Sequence, residues 1–201
     1  MDKKVLLIIR DWRGFRKDCT NNAICETPTP NTDEIMEKYP NILIKTSWEA
    51  VWLPEWYMGN SEVWHMTIGS WRVIFQSLVR INKSIADWSF FKTSEFIWAI
   101  QNCKTHNSTL HLIGLLQSEG VHSHIDHVIA LLDLCKQENF ENVVVHAITD
   151  GRDSPVTDST KHITTLENKF QELWFGKIAT LNGRFYAMDR DKRRERTKTS
   201  Y

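Results

Sequence analysis

The most informative segment of the chain reads MGNSEVWHMTIG, residues 58–69. Ser61 follows a turn-forming Gly-Asn pair and precedes a short amphipathic segment, which predicts that its hydroxyl lies at the N-terminus of a helix. The exposed backbone N–H groups of a helix N-terminus favour an oxyanion or a phosphate. The segment therefore predicts either a serine that acts on an anionic group or a serine that only caps the helix.

A second informative residue is Asp11, which lies just after the apolar run Val5–Ile9. A carboxylate at the C-terminal end of a buried strand points into the crevice where open α/β sheets bind ligands. Asp11 and Ser61 presented in this way suit a metal-activated nucleophile, whereas a surface aspartate is the alternative for Asp11.

Composition and charge exclude several classes of partner. Lysine plus arginine and aspartate plus glutamate both number 25, so the formal net charge is zero, and bulk charge favours neither a nucleic acid nor an acidic membrane. No apolar run is long enough for a membrane span, and Val5–Ile9 is too short for a secretory signal. We therefore expect a cytoplasmic protein with reduced thiols, because no C-x-x-C pair occurs among Cys19, Cys25, Cys103 and Cys135.

Strand-like and helix-like segments alternate along the chain, which predicts an α/β fold with a largely parallel sheet. The predicted strands are Val5–Ile9, Ile42–Thr46, Thr109–Leu115, Val143–Ile148 and Lys177–Leu181. The predicted helices are Thr32–Tyr39, Ser61–Ile68, Leu78–Ala86, Ser94–Lys104, Ile125–Gln137 and Ser159–Leu173.

Two further segments carry polar groups whose role the residues alone leave open. In GVHSHIDH, residues 120–127, the spacing of His122, His124 and His127 suits zinc, and a substrate contact is the alternative. In TDGRD, residues 149–153, Arg152 is either an anion-binding group or one half of a loop salt bridge.

Several collinear motifs give the chain a strong resemblance to a known family. They are MGNSEV-x-H-x-x-IG at residues 58–69, IIRD-x-x-GF at 8–15, LHLIGLL at 110–116, GVHSHIDH at 120–127, HAITDGRD at 146–153 and GRFYAMDRDKR at 183–193. Together they resemble the cofactor-independent phosphoglycerate mutases, and they run almost from end to end of the chain.

The resemblance implies a fold of two interleaved domains. Residues 1–76 match the N-terminal piece of an alkaline-phosphatase-like mixed-sheet domain, which binds metal in the family. Residues 77–201 match the first part of an inserted, transferase-like α/β domain that binds substrate. Family members continue well beyond Tyr201, so we expect the rest of the insert and the second phosphatase-like piece to be missing here.

The resemblance also implies an activity. It is the glycolytic isomerisation of 3-phosphoglycerate and 2-phosphoglycerate through a phosphoserine on Ser61, without 2,3-bisphosphoglycerate. Family members bind two divalent metal ions, manganese or magnesium. Asp11 and Ser61 match two ligands of one ion, and the other ligands match the missing part, so we expect the chain alone to be inactive. The alternatives are another metal-dependent phosphotransferase or phosphohydrolase with the same serine, or a non-catalytic fragment.

The substrate-binding residues implied by the resemblance all lie in the insert. Asp153 matches both a substrate contact and a catalytic acid–base group, and the other matches are His122, Arg152, Arg184 and Arg190. The chemistry is consistent with this, because guanidinium groups bind carboxylate and phosphate bidentately. With the family match, His122 is interpreted as a substrate contact and His124 and His127 as structural residues. The only partner implied is a small phosphorylated acid, and we expect a monomer when the protein is full length.

One departure from the family pattern is systematic. The chain has 9 Trp and only 8 Gly, although glycine is normally about 7% of residues. By resemblance, tryptophan replaces the family's glycine at Trp12, Trp48, Trp52, Trp56, Trp64, Trp71, Trp88, Trp98 and Trp174, and Arg13 and Arg194 replace tryptophan. Our hypothesis is a reassigned genetic code, in which UGA encodes glycine and CGA or CGG encodes tryptophan. The alternative is a divergent or decayed paralogue.

Overall fold

The computed structural model describes residues 4–10, 14–51, 53 and 59–201. The helices are α1 (Ala23–Glu26), α2 (Pro30–Lys38), α3 (Ser61–Ser70), α4 (Ser77–Ala86), α5 (Ser94–His106), α6 (Ile125–Gln137), α7 (Asp158–Leu173), α8 (Arg184–Ala187) and α9 (Arg194–Ser200). Short 3-10 helices span Trp48–Val51 and Phe90–Lys92. The strands are β1 (Leu110–Leu116), β2 (Val143–Thr149) and β3 (Lys177–Gly183).

The three strands form one parallel sheet in the order β1-β2-β3, joined by helices α6 and α7. This arrangement confirms the α/β class predicted from the alternation of apolar runs and amphipathic segments. The predicted helix Ile125–Gln137 has the predicted bounds, and the other helices and the strands of residues 77–183 differ from prediction by a few residues at their ends.

The main core lies between one face of the sheet and the helices that cover it. Leu112, Val145 and Ile178 are register neighbours on three strands and belong to this core. Helix α7 contributes Leu166 and Phe170 from successive turns, because residues four apart lie on the same helical face. A separate small cluster, formed by Val51, Leu53 and Val63 with Trp64 and Val79, packs helix α3.

Two predicted strands do not form. Residues 4–10 and 41–46 have no regular secondary structure, and Val5 and Ile42 are 91% and 84% exposed. The prediction of strands here was wrong, because apolar composition gives strand propensity but a strand also needs a hydrogen-bonding neighbour. Within the described part of the chain, the only ladders join β1, β2 and β3, so these two runs remain unpaired.

The prediction of four reduced thiols was wrong for two of them. Cys19 and Cys25 form a disulfide with Cα atoms 5.4 Å apart, because the chain reverses through Asn21, whose φ is 54°, into helix α1. Cys103 and Cys135 are free and buried. Burial raises the pKa of the Cys135 thiol to about 11, which makes it a core residue rather than a reactive group.

Three tryptophans adopt backbone conformations that favour glycine. Trp71 and Trp174 are the C-cap residues of α3 and α7, with φ values of 54° and 66°, and Trp88 follows the C-cap of α4 with a φ of 66°. Left-handed residues at helix C-termini are usually glycine, and a bulky residue there is an outlier. The side chains of Trp71 and Trp174 are 95% and 93% exposed, so packing does not compensate for the backbone conformation.

The other tryptophan positions give less information. Trp98 lies within helix α5 and Trp64 within α3, where its indole Nε1 donates a hydrogen bond to the Thr46 carbonyl at 2.8 Å. Trp12, Trp52 and Trp56, together with Arg13, lie outside the described residues. Arg194 begins helix α9.

The domain boundary predicted between residues 76 and 77 coincides with the start of helix α4, whose N-cap is Gln76. It stays a prediction, since a helix start alone does not define a domain. Among residues of described structure, no helix combines the length and apolar character needed to cross a bilayer.

Candidate functional site

The carboxyl ends of the three parallel strands meet at one edge of the sheet, and the loops that follow them carry the predicted substrate residues. His122 follows β1, Arg152 and Asp153 follow β2, and Arg184 comes directly after β3. Open α/β sheets bind ligands at this edge because the loops there converge around a crevice. The three loops are distant from one another in sequence, and the parallel sheet brings their side chains to the same edge.

A cavity of about 380 Å³ opens at this edge. It is lined by His122, Asp150, Gly151, Arg152, Arg184, Phe185, Met188, Asp189, Arg190, Asp191 and Arg196. The lining brings together four of the five predicted substrate residues, and the fifth, Asp153, contacts two of these four. Its volume lies in the range of small-molecule sites.

Arg184 is the centre of the polar network in this cavity. Its Nη1 atom lies 2.8 Å from Asp150 Oδ1 and 2.5 Å from Asp153 Oδ2. His122 Nε2 lies 3.5 Å from the same Asp153 oxygen. Burial alone would lower the pKa of Arg184, but its hydrogen bonds to Asp153 and Asp150 outweigh burial and raise that pKa, so the guanidinium stays charged.

Asp150 supports the loop that carries Arg152 and Asp153. Its carboxylate accepts hydrogen bonds from the amides of Arg152, Asp153 and Ser154 at 3.2, 3.4 and 3.0 Å, and from the Ser154 hydroxyl at 3.1 Å. Burial raises the pKa of Asp150, but the bond from Arg184 and the bonds from this loop outweigh it, so the net pKa is lowered. Asp150 is therefore an anion that fixes both the loop and Arg184.

A second ion-pair cluster also lines the cavity. Arg196 of helix α9 lies 3.6 Å from Asp189 and 3.5 Å from Asp191, and its guanidinium stacks 3.9 Å from the centre of the Phe185 ring. Asp189 also accepts the Arg193 amide at 2.8 Å. By contrast, Arg152 and Arg190 are exposed and make no ion pair with any residue of described structure.

Ser61 is the first residue of helix α3, so its hydroxyl lies at the helix N-terminus as predicted. The capping residue is Asn60 rather than Ser61, because the Asn60 side chain accepts the Val63 amide at 3.1 Å. The Ser61 hydroxyl lies 3.2 Å from His65 Nδ1, one turn further along. Ser61 is not among the described residues that line the cavity, and Asp11 lies outside the described residues.

His124 and His127 have structural partners. The Asp126 amide donates to His124 Nδ1 at 3.2 Å, which caps helix α6, and His127 Nε2 lies 2.8 Å from Asn82 Oδ1. His122 instead faces Asp153. The described part of the chain contains no group of three or more His, Cys, Asp or Glu side chains placed to hold one metal ion, so it offers no zinc site of the kind that the spacing suggested.

Five further lining residues were not predicted from the sequence: Asp150, Phe185, Asp189, Asp191 and Arg196. Asp150 carried a usable signal, because an aspartate followed by Gly-Arg-Asp at a strand end is typical of a turn in which its carboxylate accepts backbone N–H groups. No sequence signal pointed to Arg196, because it lies in a charged segment that has the composition of a solvated surface.

A parallel α/β sheet that gathers arginines, a histidine and fixed carboxylates at its carboxyl edge offers groups that a small anionic molecule requires. Residues 81–201 match the family described as BPG-independent PGAM N-terminus, and the chain belongs to this family.

The relatives of the chain carry one consistent name. The chain is 48% identical over 200 residues to a 2,3-bisphosphoglycerate-independent phosphoglycerate mutase of Acetivibrio thermocellus, and the match covers 100% of this chain and 39% of that protein. It is also 48% identical to proteins of that name from Methanosarcina barkeri, covering 99% of this chain and 38% of the relative, and Clostridium tetani, covering 100% and 39%. The chain thus spans about 39% of the length of the curated relatives it matches.

A solved structure shows the same fold. A crystal structure of Leishmania mexicana phosphoglycerate mutase at low cobalt concentration superposes with a TM-score of 0.76 at 29% sequence identity. The match covers 83% of this chain and 32% of the Leishmania chain.

Proposed function

We propose that this chain is part of an enzyme that interconverts 3-phosphoglycerate and 2-phosphoglycerate without 2,3-bisphosphoglycerate, through a phosphoserine on Ser61. The observation that carries the proposal is the arginine-lined cavity, which offers the donors that a small acid with a carboxylate and a phosphate requires. Family membership supports the same reaction, since the relatives are named as mutases of this kind.

In this proposal the cavity holds the glycerate part of the substrate. Arg184 and Arg190 bind the carboxylate and phosphate groups through paired N–H donors, and Arg152, which is exposed at the cavity wall, adds a further positive charge. His122 donates a hydrogen bond to a substrate oxygen. Asp153 lies beside both His122 and Arg184, where it accepts the proton of a glycerate hydroxyl.

Ser61 carries the phosphoryl group between the two hydroxyls. Its Oγ atom gives up its proton and forms a bond to phosphorus while the bond from phosphorus to the substrate oxygen breaks, and that departing oxygen takes up a proton, which leaves glycerate in the cavity. Glycerate then reorients, its other hydroxyl loses a proton to Asp153 and attacks the phosphoserine, and the departing Ser61 oxygen takes up a proton, which regenerates the serine. The N-terminal amides of helix α3 stabilise negative charge on the transferring group.

Asp11 and Ser61 would contribute two ligands to a divalent metal site. When bound, such an ion polarises the phosphoryl oxygens. Two ligands are fewer than the about six that hard divalent cations take, so Asp11 and Ser61 alone would not complete the site.

The test uses the protein expressed from the whole gene. We expect Ser61→Ala to abolish interconversion of the two phosphoglycerates and to prevent phosphate incorporation at residue 61, measured by mass spectrometry, since no neighbouring group replaces the lost oxygen. Ser70→Ala, at the other end of helix α3, is the matched control and should retain activity. If Ser61→Ala keeps activity within about tenfold, which is about 1.4 kcal/mol, Ser61 is not the nucleophile.

Specificity is tested in the same preparation. A mutase should isomerise phosphoglycerate far faster than it releases phosphate from a generic phosphate ester. Faster hydrolysis of the generic ester would instead indicate a phosphohydrolase with the same serine. This result would contradict the proposed reaction even if Ser61 is the nucleophile.

A further inference from the structure

His65 lies one helical turn after Ser61, on the same face of helix α3. Its Nδ1 atom lies 2.7 Å from the Ser61 carbonyl oxygen and 3.2 Å from the Ser61 Oγ atom. Helical side chains lean towards the N-terminus of their helix, which brings this imidazole back over the preceding turn. One ring nitrogen therefore contacts both the backbone and the hydroxyl of the serine.

The contact with the carbonyl decides which nitrogen of His65 carries a proton. A carbonyl oxygen has no proton to donate, so a nitrogen 2.7 Å away from it has to be the donor. An unprotonated Nδ1 would set two lone pairs against each other, and a flipped ring would put a carbon atom at the same short distance. Nδ1 is therefore protonated in the neutral and in the charged ring, and its N–H is shared between the two oxygens of Ser61.

This protonation excludes the role that a histidine beside a nucleophilic serine usually has. A general base needs an unprotonated nitrogen within hydrogen-bond reach of the hydroxyl. The His65 nitrogen that faces Ser61 Oγ already carries a proton, and the Ser61 carbonyl holds that proton in place. Nδ1 can stabilise negative charge on Oγ, but it cannot remove the proton from it.

Helix α5 contains the same backbone contact without a serine. His106 Nδ1 lies 2.9 Å from the carbonyl oxygen of Asn102, which is again the residue four positions earlier. The bond to the carbonyl is thus a local contact that a histidine forms within a helix. What distinguishes His65 is the hydroxyl of the residue four positions earlier, which the same N–H group reaches.

We propose that His65 is a positioning residue, which holds Ser61 Oγ for attack by donating its Nδ1–H, and that it is not the general base; this rests on the proposed function, in which Ser61 is the nucleophile. The donor favours one of the staggered rotamers of the serine. The hydrogen bond strengthens as Oγ becomes negative, because charge-assisted bonds are roughly twice as strong as neutral ones. Loss of the donor should therefore lower kcat and leave KM nearly unchanged.

The test uses the protein expressed from the whole gene, with 3-phosphoglycerate as substrate. We expect His65→Ala to lower kcat about tenfold or more and to change KM by less than about threefold, because a donor aimed at a developing oxyanion acts mainly on the transition state. His65→Asn should recover kcat to within about threefold of the wild type. Its side-chain amide puts an N–H group near the position of Nδ1 but has no basic nitrogen. His65→Gln should not recover it, since its N–H lies one bond further from the backbone.

Two measurements separate this effect from a change in fold. His106→Ala is the matched control, because it removes the same bond to a carbonyl but no contact with Ser61, and it should leave kcat unchanged. The rate of phosphate incorporation at residue 61 in a single turnover, followed by mass spectrometry, should fall in His65→Ala and recover in His65→Asn. This rate reports on the attack by Ser61 even if product release limits kcat.

The outcomes distinguish the inference from the proposed function. If His65→Ala phosphorylates Ser61 within about threefold of the wild-type rate, the positioning role is overturned and Ser61 remains the nucleophile. If His65→Asn is as slow as His65→Ala, the ring supplies more than a donor, and the exclusion of a general base is overturned. Equal rates for His65→Asn and His65→Gln would overturn the assignment to Nδ1. Retained activity in Ser61→Ala would instead overturn the proposed function, and this inference with it.

Discussion

Replacement of Trp71, Trp88 and Trp174 by glycine should raise the free energy of unfolding. All three have positive φ, between 54° and 66°, at or just after a helix C-terminus. For a residue with a Cβ atom, the left-handed region costs roughly 1–2 kcal/mol relative to the right-handed one. Glycine adopts this region without that cost, although it loses more conformational entropy on folding, which reduces the net gain in stability.

We expect a net gain of about 1 kcal/mol at Trp71 and at Trp174, whose side chains are almost fully exposed and lose no packing on removal. The gain at Trp88 should be smaller, because its ring lies 5.1 Å from that of Phe91 and is 60% exposed. The three sites follow the ends of different helices, so their effects should add. The midpoint of thermal unfolding should rise by about 2–4 °C per kcal/mol for a chain of this size.

The control is alanine at the same three positions, since alanine removes the indole but keeps the Cβ atom. If backbone strain is the cause, glycine stabilises and alanine does not. Trp98→Gly is a second control, because Trp98 lies inside helix α5 and is 69% exposed. Glycine there should destabilise by about 1 kcal/mol relative to alanine. Equal unfolding midpoints for the glycine and alanine variants, measured in urea, would refute the reasoning.

Two further predictions concern the cavity and His127 of helix α6. Arg190→Lys should raise the Kd for 3-phosphoglycerate despite the retained charge, because lysine lacks paired donors, and an unchanged Kd in calorimetry would remove Arg190 from the site. Burial lowers the pKa of His127 below 6.5, with a further contribution from neighbouring His124 and an opposing one from Asp126. The unfolded chain therefore takes up the proton first, and stability should fall as the pH drops below about 6.5, by at most about 1.4 kcal/mol per pH unit. His127→Gln should flatten this part of the urea-midpoint profile, and an unchanged profile would contradict the prediction.

Local sequence patterns were enough to predict the helices and strands of residues 77–183. The apolar spacing of residues 125–137 was enough for helix α6, and the short apolar run at residues 143–148 was enough for β2. The run at residues 5–9 has similar composition but forms no strand, because pairing depends on partners distant in sequence and propensity carries no information about them. The Cys19–Cys25 bond was missed for a related reason, since it depends on the left-handed turn at Asn21.

The residues of the candidate site that lie within contiguous sequence motifs could be named from the sequence. The resemblance named His122, Arg152, Asp153, Arg184 and Arg190, and the parallel sheet brings their three loops to one edge. It did not name Asp150, whose importance depends on hydrogen bonds to backbone amides, or Arg196, whose place in the cavity depends on the packing of α9 against Phe185. Roles that arise from tertiary contacts of this kind have no signature in residue type or spacing.

The backbone at the tryptophan positions adds a physical argument to the hypothesis of a reassigned code. Family resemblance alone cannot distinguish reassignment from a divergent paralogue, because both place tryptophan where relatives have glycine. A paralogue under selection for folding would not be expected to accumulate its bulkiest residue at three helix ends with positive φ, where glycine is the usual residue. Reassignment explains these three sites and the exposed Trp98 together, because the substitution then follows the codon and not the environment. The hypothesis requires UGA at all nine tryptophan positions and CGA or CGG at Arg13 and Arg194. UGG codons at Trp71, Trp88 and Trp174 would show instead that these strained tryptophans belong to the protein.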